Sequence, residues 1–149
     1  MIDIRLATPA DADALAELRW DFRAGRQPPA EDRAVFVARC AAWMRDALAA
    51  DWRAWVAVDA GQIVGHVWLG TIAKVPNPVG QQERHAYISN VFVKPGARGG
   101  VGTRLMDEAM KWAAANGVHY ALLTPTPRSR TLYARHGFGV SDEWLIRKF

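Results

Sequence analysis

A mixed α/β (α+β) fold in one domain spanning residues 1–149 is predicted by three observations. The length is enough to bury a substantial core, and half the residues are apolar with 23% charged, as in ordinary globular chains. Two apolar, β-branched and aromatic runs flank a tight turn in the middle of the chain and continue into a third, as an antiparallel meander does. A later strand–helix–strand succession, from "HAYISNVFVKP" through "VHYALLT", implies a parallel crossover joined to that meander.

The elements follow in order. "IDIRLA" alternates and reads as a first strand. Thr8-Pro9 has the form of an N-cap with proline at the first helical position, and Leu15, Leu18, Trp20 and Phe22 populate the helix behind it. "AGRQPPAE" breaks that helix. A second one is predicted from about Glu31 to Ala50, with Val35, Phe36, Cys40, Trp43, Met44, Ala47 and Leu48 at helical spacing. "WRAWVAVD" and "IVGHVWLGTI" around Asp59-Ala60-Gly61 form a hairpin signature. "KVPNPVGQQER" is a polar loop, and "HAYISNVFVKP" a strong strand. Val101 to Asn116 is a helix closed by Asn116-Gly117. "VHYALLT" is the next strand, "PTPRSRTLYARHGF" holds a short helix ending near Gly137, and "EWLIRKF" reads as a last strand.

Composition excludes several classes. A single cysteine, Cys40, permits no internal disulfide and suits a reducing, cytoplasmic location; its apolar setting makes it a packed thiol rather than a nucleophile. "MIDIRLATPA" lacks the apolar core of a signal peptide, and the longest charge-free apolar run, Ala60–Ala73, is too short for a membrane span. Residues 1–32 hold seven acids and four bases, while residues 33–149 carry a net +7 that includes Lys94, Arg98, Arg104, Arg128, Arg130 and Arg135. A polyanionic ligand suits that excess; nothing resembles a nucleic-acid recognition helix or stacking motif. No Cys/His spacing matches a metal site, and His66, His119 and His136 carry no chemistry of their own.

"NVFVKPGARGGVGTRLMDEAM" focuses the functional question. Pro95 ends a strand, and Gly96, Gly99 and Gly100 let successive backbone N–H groups converge on one hollow. Gly102 permits close approach to the first turn of the helix that starts near Val101, whose end carries about half a positive charge. Lys94, Arg98 and Arg104 add full charges, with no acid between Lys94 and Met106. Such a hollow suits phosphate or pyrophosphate, whereas many strand-to-helix turns contain glycine and bind nothing. It is not a P-loop, which needs a lysine after the glycine, nor a dinucleotide fingerprint, since position 105 is leucine.

Thirty residues on, "SRTLYARHGF" places Leu132-Tyr133 four residues before Gly137-Phe138. The strand–Pro–Arg-Gly-Gly-Val-Gly-Thr–helix unit together with this Leu-Tyr-x-x-x-Gly-Phe resembles the GNAT superfamily of acyl-CoA-dependent N-acyltransferases. The element order extends the likeness over nearly the whole chain. The family's loop usually reads Arg/Gln-x-x-Gly-x-Gly/Ala; counting back from Gly102 and Gly100 lands on Ala97 rather than Arg98, a loop one residue short.

The resemblance implies a GNAT-like fold, a mixed central sheet flanked by about four helices, and acetyl transfer from acetyl-CoA to a primary amine of a small molecule or peptide. It implies that the backbone of Val91, Phe92 and Val93 holds the pantetheine arm. The pyrophosphate would fall to Arg98, Gly99, Gly100, Val101, Gly102, Thr103 and Arg104, with Ser129 beside them. Tyr133 would protonate the leaving thiolate or donate a hydrogen bond to it. Reference pKa values of about 10 for Tyr and about 8.5 for a thiol make complete transfer uphill by roughly 2 kcal/mol, which favours the second role. A lysine-like amine, with pKa about 10.4, costs roughly 4–5 kcal/mol to deprotonate at pH 7, so a base is useful. Glu83, His85 and Tyr87 alternate onto one strand face and could serve one water chain. Trp20, Asp21 and Asn90 are the acceptor-side candidates, an acidic and aromatic rim suiting a cation. No metal, membrane or nucleic acid enters this reading, and a homodimer is compatible with it. A non-catalytic acyl-CoA-binding module on the same fold is the alternative; it would keep the loop but not need Tyr133.

Overall fold

The computed structural model describes residues 1–81, 83–97 and 99–149. Five strands form one sheet in the order β1-β2-β3-β4-β5: β1 (Asp3–Leu6), β2 (Trp52–Asp59), β3 (Gln62–Ala73), β4 (Arg84–Val93) and β5 (Val118–Leu122). The first four pair antiparallel, and β4 and β5 pair parallel. Helices α1 (Ala12–Ala24) and α2 (Arg33–Leu48) cover one face; α3 (Val101–Ala115) and α4 (Arg130–Arg135) cover the other.

The sequence signals explain most boundaries. Thr8-Pro9 does start a helical segment, but first as a 3-10 turn over Pro9–Asp11. Asp11 accepts the Thr8 N–H at 2.8 Å and holds the Arg5 guanidinium through two contacts of 2.9 Å. That pairing with Arg5 keeps the Asp11 carboxyl below the usual carboxylate range. The β2–β3 hairpin turns on Ala60 and Gly61, with φ of 47° and 79°, the two left-handed residues that a two-residue turn of matching twist needs.

Each sheet face has its own core. Against α3 lie Trp55, Ala57, Val67, Leu69, Ala86 and Ile88, meeting Leu105, Met106 and Ala109. Against α1 and α2 lie Ala54, Val56 and Trp68, meeting Leu15, Ala16, Ala41 and Met44. Burying each such Leu, Met or Val stabilises by about 1.5–3 kcal/mol relative to exposure.

Two features bear on function. In β4 the pairing runs Trp68 to Ser89 and then His66 to Phe92, so β4 carries one extra residue. Asn90 sits there with φ of 57°, a β-bulge built on a non-glycine residue. The parallel β4–β5 ladder ends at Tyr87–Leu122, so Ile88–Val93 have no strand partner on that side.

The last strand expected from "EWLIRKF" does not form: residues 141–149 carry no ladder, and Leu145, Ile146 and Phe149 are exposed. The segment is held to the sheet by side chains instead: Trp144 lies edge-on to the His85 ring at 5.1 Å, and Glu143 accepts a hydrogen bond from the Tyr120 hydroxyl. Strand propensity measures how a residue fits a paired, half-buried surface, and this segment adds no rung to β5.

Gly70 supports the α2 face by its lack of a side chain. A Cβ there would stand 2.8 Å from the ring of Trp52, which is packed between Trp43, Trp68 and Tyr87. Gly70→Ala should therefore destabilise the protein by about 1–3 kcal/mol in urea unfolding; an unchanged midpoint would show the tryptophan free to move.

Candidate active site

The parting of β4 from β5 opens a cavity of ≈ 570 Å³. Its floor is Tyr87–Val93, its far wall Thr124–Thr126 with Ser129, Leu132 and Tyr133, and one end the turn Gly99–Thr103. Strand atoms that would have bonded β5 line an open space instead, and such groups require partners from elsewhere.

The glycine turn follows from its residues. Gly99 and Gly100 take φ of 109° and 85°, conformations that β-carbon-bearing residues rarely adopt. Gly100 thereby starts α3 without any side-chain cap, and the first helical bond is Arg104 N–H to the Gly100 carbonyl at 3.1 Å. The N–H groups of Val101, Gly102 and Thr103 come before that bond, at the positively polarised end of a 15-residue helix. A Cβ on Gly102 would make only ordinary contacts, 3.7 Å from Leu132 and 3.9 Å from Val93. Nothing in the described chain requires glycine at that position.

Charge in the cavity has one sign. Arg19, Arg23, Arg26, Arg128 and Arg135 line it, and among the described residues no carboxylate or imidazole does. Tyr133 is buried, at 9% exposure, with its ring edge-on to Phe138 at 6.0 Å. Burial raises its hydroxyl pKa above the usual tyrosine value, with hydrogen bonding to the Ser129 side chain opposing in smaller measure. Its neutral, donating form is therefore held firmly at neutral pH.

The sequence-derived residues divide by location. Tyr87, Asn90, Val91, Phe92, Val93, Gly99, Gly100, Val101, Gly102, Thr103, Ser129 and Tyr133 come together on the cavity wall. Arg98 lies outside the described residues. Arg104 points elsewhere, its guanidinium donating to the Ile2 carbonyl at 3.0 Å. Glu83 precedes β4, and its carboxylate accepts the Asn77 N–H at 3.0 Å. His85 stacks on Tyr120 and His119 at the start of β4, with its pKa lowered by burial, Lys74 and His119. Neither Glu83 nor His85 lines the cavity. Trp20 packs on Phe36 at 5.7 Å and lines a separate hollow near Glu31; exposed Asp21 lines none of the cavities described.

Arg19 is the residue that sequence reasoning passed over. It donates from Nη1 to Asn90 Oδ1 at 3.0 Å and so joins α1 to the bulge. His66 is fully buried near Phe92; among the described residues neither ring nitrogen makes a well-formed hydrogen bond, and the Asn90 backbone is the one polar group close enough to oppose the fall in its pKa. Burial, and then the charge of Arg19, lower its pKa to about 3. An arginine in an amphipathic helix gives no sign of such a task; only the fold reveals it.

A model of the acetyltransferase (GNAT) family matches residues 12–138, and the chain belongs to that family. Solved structures agree in fold. A predicted acetyltransferase of Clostridium acetobutylicum, solved with acetyl-CoA, is 23% identical with a TM-score of 0.81, covering 99% of this chain and 96% of that one. A GCN5-related N-acetyltransferase of Ralstonia eutropha JMP134 is 25% identical with a TM-score of 0.75, covering 99% of both. An aminoglycoside N-acetyltransferase in complex with CoA is 16% identical with a TM-score of 0.70, covering 100% of this chain and 95% of that one. No curated protein matches the chain. Among the described residues no helix is long and apolar enough to cross a membrane, and no cluster of His, Cys, Asp or Glu could hold a metal ion.

The buried His66 makes stability pH-dependent. Its folded pKa, about 3, lies below the ordinary 6.5, so between those values the unfolded chain binds a proton that the folded chain does not. Stability thus falls as pH drops below 6.5, with a slope approaching ~1.4 kcal/mol per pH unit. His66→Leu should flatten the acid limb of denaturation measured between about pH 6.5 and pH 4; an unaltered slope would assign the acid sensitivity to other groups.

Proposed function

We propose that residues 1–149 act as one domain that transfers an acetyl group from acetyl-CoA to a primary amine by direct attack. One observation carries this reading. The unpaired edge of β4, the uncapped start of α3 and the buried hydroxyl of Tyr133 all line a single cavity whose charged residues are arginines. That combination suits a long ligand with an amide-bearing arm and a phosphorylated end.

The backbone of Ile88–Val93 would bond the pantetheine amides as a fifth strand would have. The N–H groups of Val101, Gly102 and Thr103 would bond the pyrophosphate, and Arg128 and Arg135 stand near the same wall. Solved relatives that hold acetyl-CoA or CoA on this fold support the choice of donor. The amine nitrogen attacks the thioester carbonyl carbon, and a β4 backbone N–H stabilises the oxyanion. Collapse breaks the C–S bond, and the sulfur takes a hydrogen bond or proton from Tyr133. The proton lost by nitrogen goes to water, with Tyr87 the titratable neighbour on the cavity floor.

The cavity's charge supplies part of the work of a base. A cationic amine beside Arg19 and Arg23 is disfavoured relative to its neutral form, because like charges lower an ammonium pKa. The entering nucleophile is thereby enriched in the reactive state. The binding-only alternative would rest on the same lack of a carboxylate or imidazole on the wall, and Tyr133 separates the two readings.

Tyr133→Phe should reduce kcat about 10- to 100-fold, the loss of one hydrogen bond to developing charge, while acetyl-CoA affinity by calorimetry stays nearly constant. Because burial raises the Tyr133 pKa, the ratio of wild-type to variant rates should stay flat from about pH 6 to about pH 9. Equal rates in both proteins, or no thiol release with any amine, would refute the catalytic reading.

Gly102→Ala gives a complementary check. Because no neighbour crowds the position, the added methyl should raise stability by about 0.5–1 kcal/mol through helix propensity. Acetyl-CoA binding should persist in that variant, since the family's loop pattern accepts alanine at this position, whereas the bulkier Gly102→Val should weaken it by filling the approach to the first turn. Unimpaired binding in Gly102→Val would mean that the pyrophosphate sits elsewhere.

A further inference from the structure

A second cavity, of ≈ 330 Å³, adjoins the first, and Arg19, Ser89 and Asn90 line both. Its walls are Phe36, Trp43, Met44, Trp52 and Trp68, with Cys40 and Arg39 at the margin. The three indoles pack around one another, with ring centroids 5.6, 6.0 and 6.3 Å apart. Trp43 remains 51% exposed, a large apolar surface left uncovered beside a hollow. Among the described residues no carboxylate lines this cavity.

Its two arginines differ. Arg39 is paired with Glu31 and lies over the Phe36 ring. Among the described residues Arg19 meets no acid: it donates a hydrogen bond to the neutral amide of Asn90, and its guanidinium stands 5.8 Å from the Phe22 ring centroid. Burial and the nearby Arg23 both lower its pKa, the mark of a partly buried cation lacking an anion. An arginine fork is suited to a carboxylate.

We infer that this second cavity is the acceptor site and takes a free aromatic α-amino acid, with its ring against the wall formed by Trp43, Trp52 and Trp68 and its carboxylate on Arg19. The inference rests on the acetyltransferase reading above. The reasoning is positional. The amine must reach β4 at the bulge, which the two cavities share through Ser89 and Asn90, and Arg19 is at the same junction. Amine and carboxylate must therefore be close together at one end of the acceptor, with the apolar body at the other. An α-amino acid has that layout. A peptide N-terminus has an amide carbonyl where the carboxylate would be, and a polyamine has no anion at all. The volume, at the small end for ligand pockets, also favours a single residue.

The test compares L-tryptophan with tryptamine, which has the same ring and amine but no carboxylate, and with glycine, which has no ring. In the wild type, kcat/KM for L-tryptophan should exceed that for either by about tenfold or more, the ordinary worth of a charge-assisted contact or of a buried ring. Arg19→Met should bring L-tryptophan down to the level of tryptamine, and Arg19→Lys should restore part of the preference. A purely structural Arg19, holding only Asn90, would lower both substrates alike and keep their ratio. Trp43→Ala should abolish the preference over glycine. Equal wild-type rates for L-tryptophan and tryptamine, or a preserved ratio in Arg19→Met, would overturn the inference. Calorimetry with L-tryptophan alone separates this from failure of the broader reading. Arg19-dependent binding without acetyl transfer would leave the site standing and remove the transferase; transfer to other amines without binding of L-tryptophan would do the reverse.

Discussion

The hydrogen bond from Arg19 Nη1 to Asn90 Oδ1 ties α1 to the point where β4 departs from regular geometry. A left-handed residue other than glycine inside a strand is costly, and it persists where its surroundings hold it. Here Arg19 grips the side chain from one layer while the β3 ladder resumes at Phe92 on the other side of the bulge. Around this constraint the rest of the site is arranged. The strand bends away after its last rung to β5, the backbone beyond is freed, and the space between the two strands becomes the cavity.

The chemistry available there depends on what the cavity leaves out as much as on what it contains. Arginines line it, its two phenolic hydroxyls are those of Tyr87 and Tyr133, and two acids of α1, Asp13 and Glu17, are paired at the surface with Arg45 and Arg33. Those exposed pairs contribute little to stability. Their effect is on the balance of charge: carboxylates are occupied outside, and the interior field stays positive. Such a field attracts phosphate and disfavours ammonium, two requirements that acetyl transfer to an amine makes together.

Much of this was legible in the residues. The glycine turn, the helix behind it and Tyr133 were readable because each rests on local rules: φ above zero, a helix end without a cap, and a short motif at fixed spacing. The hairpin and the three long helices were readable from period and turn chemistry. What could not be read depends on relations between distant elements. The bulge at Asn90 has no sequence signature, since asparagine in an alternating strand looks like any other member. Arg19 looks like a solvated helix cation. Glu83 and His85 looked equivalent to Tyr87 by alternation, but β4 begins only at Arg84, and the cavity opens only where the parallel ladder stops. "EWLIRKF" has the composition of a strand, yet composition does not say whether a ladder forms.

The bulge also changes how β4 counts. Ala86 and Ile88 share their core with Val91 and Val93, so the inward positions pass from even to odd across Asn90. One strand thereby carries two phases of the same alternation. A single-residue deletion between Ser89 and Val91 would make the alternation regular with Val93 still facing α3, but it would remove the bulge and with it the seat of the Arg19–Asn90 contact. The loop between β3 and β4 has no such bookkeeping to keep. Length variation among descendants of this chain should therefore collect there and be absent from the six residues around Asn90, even where the side chains themselves are free to drift.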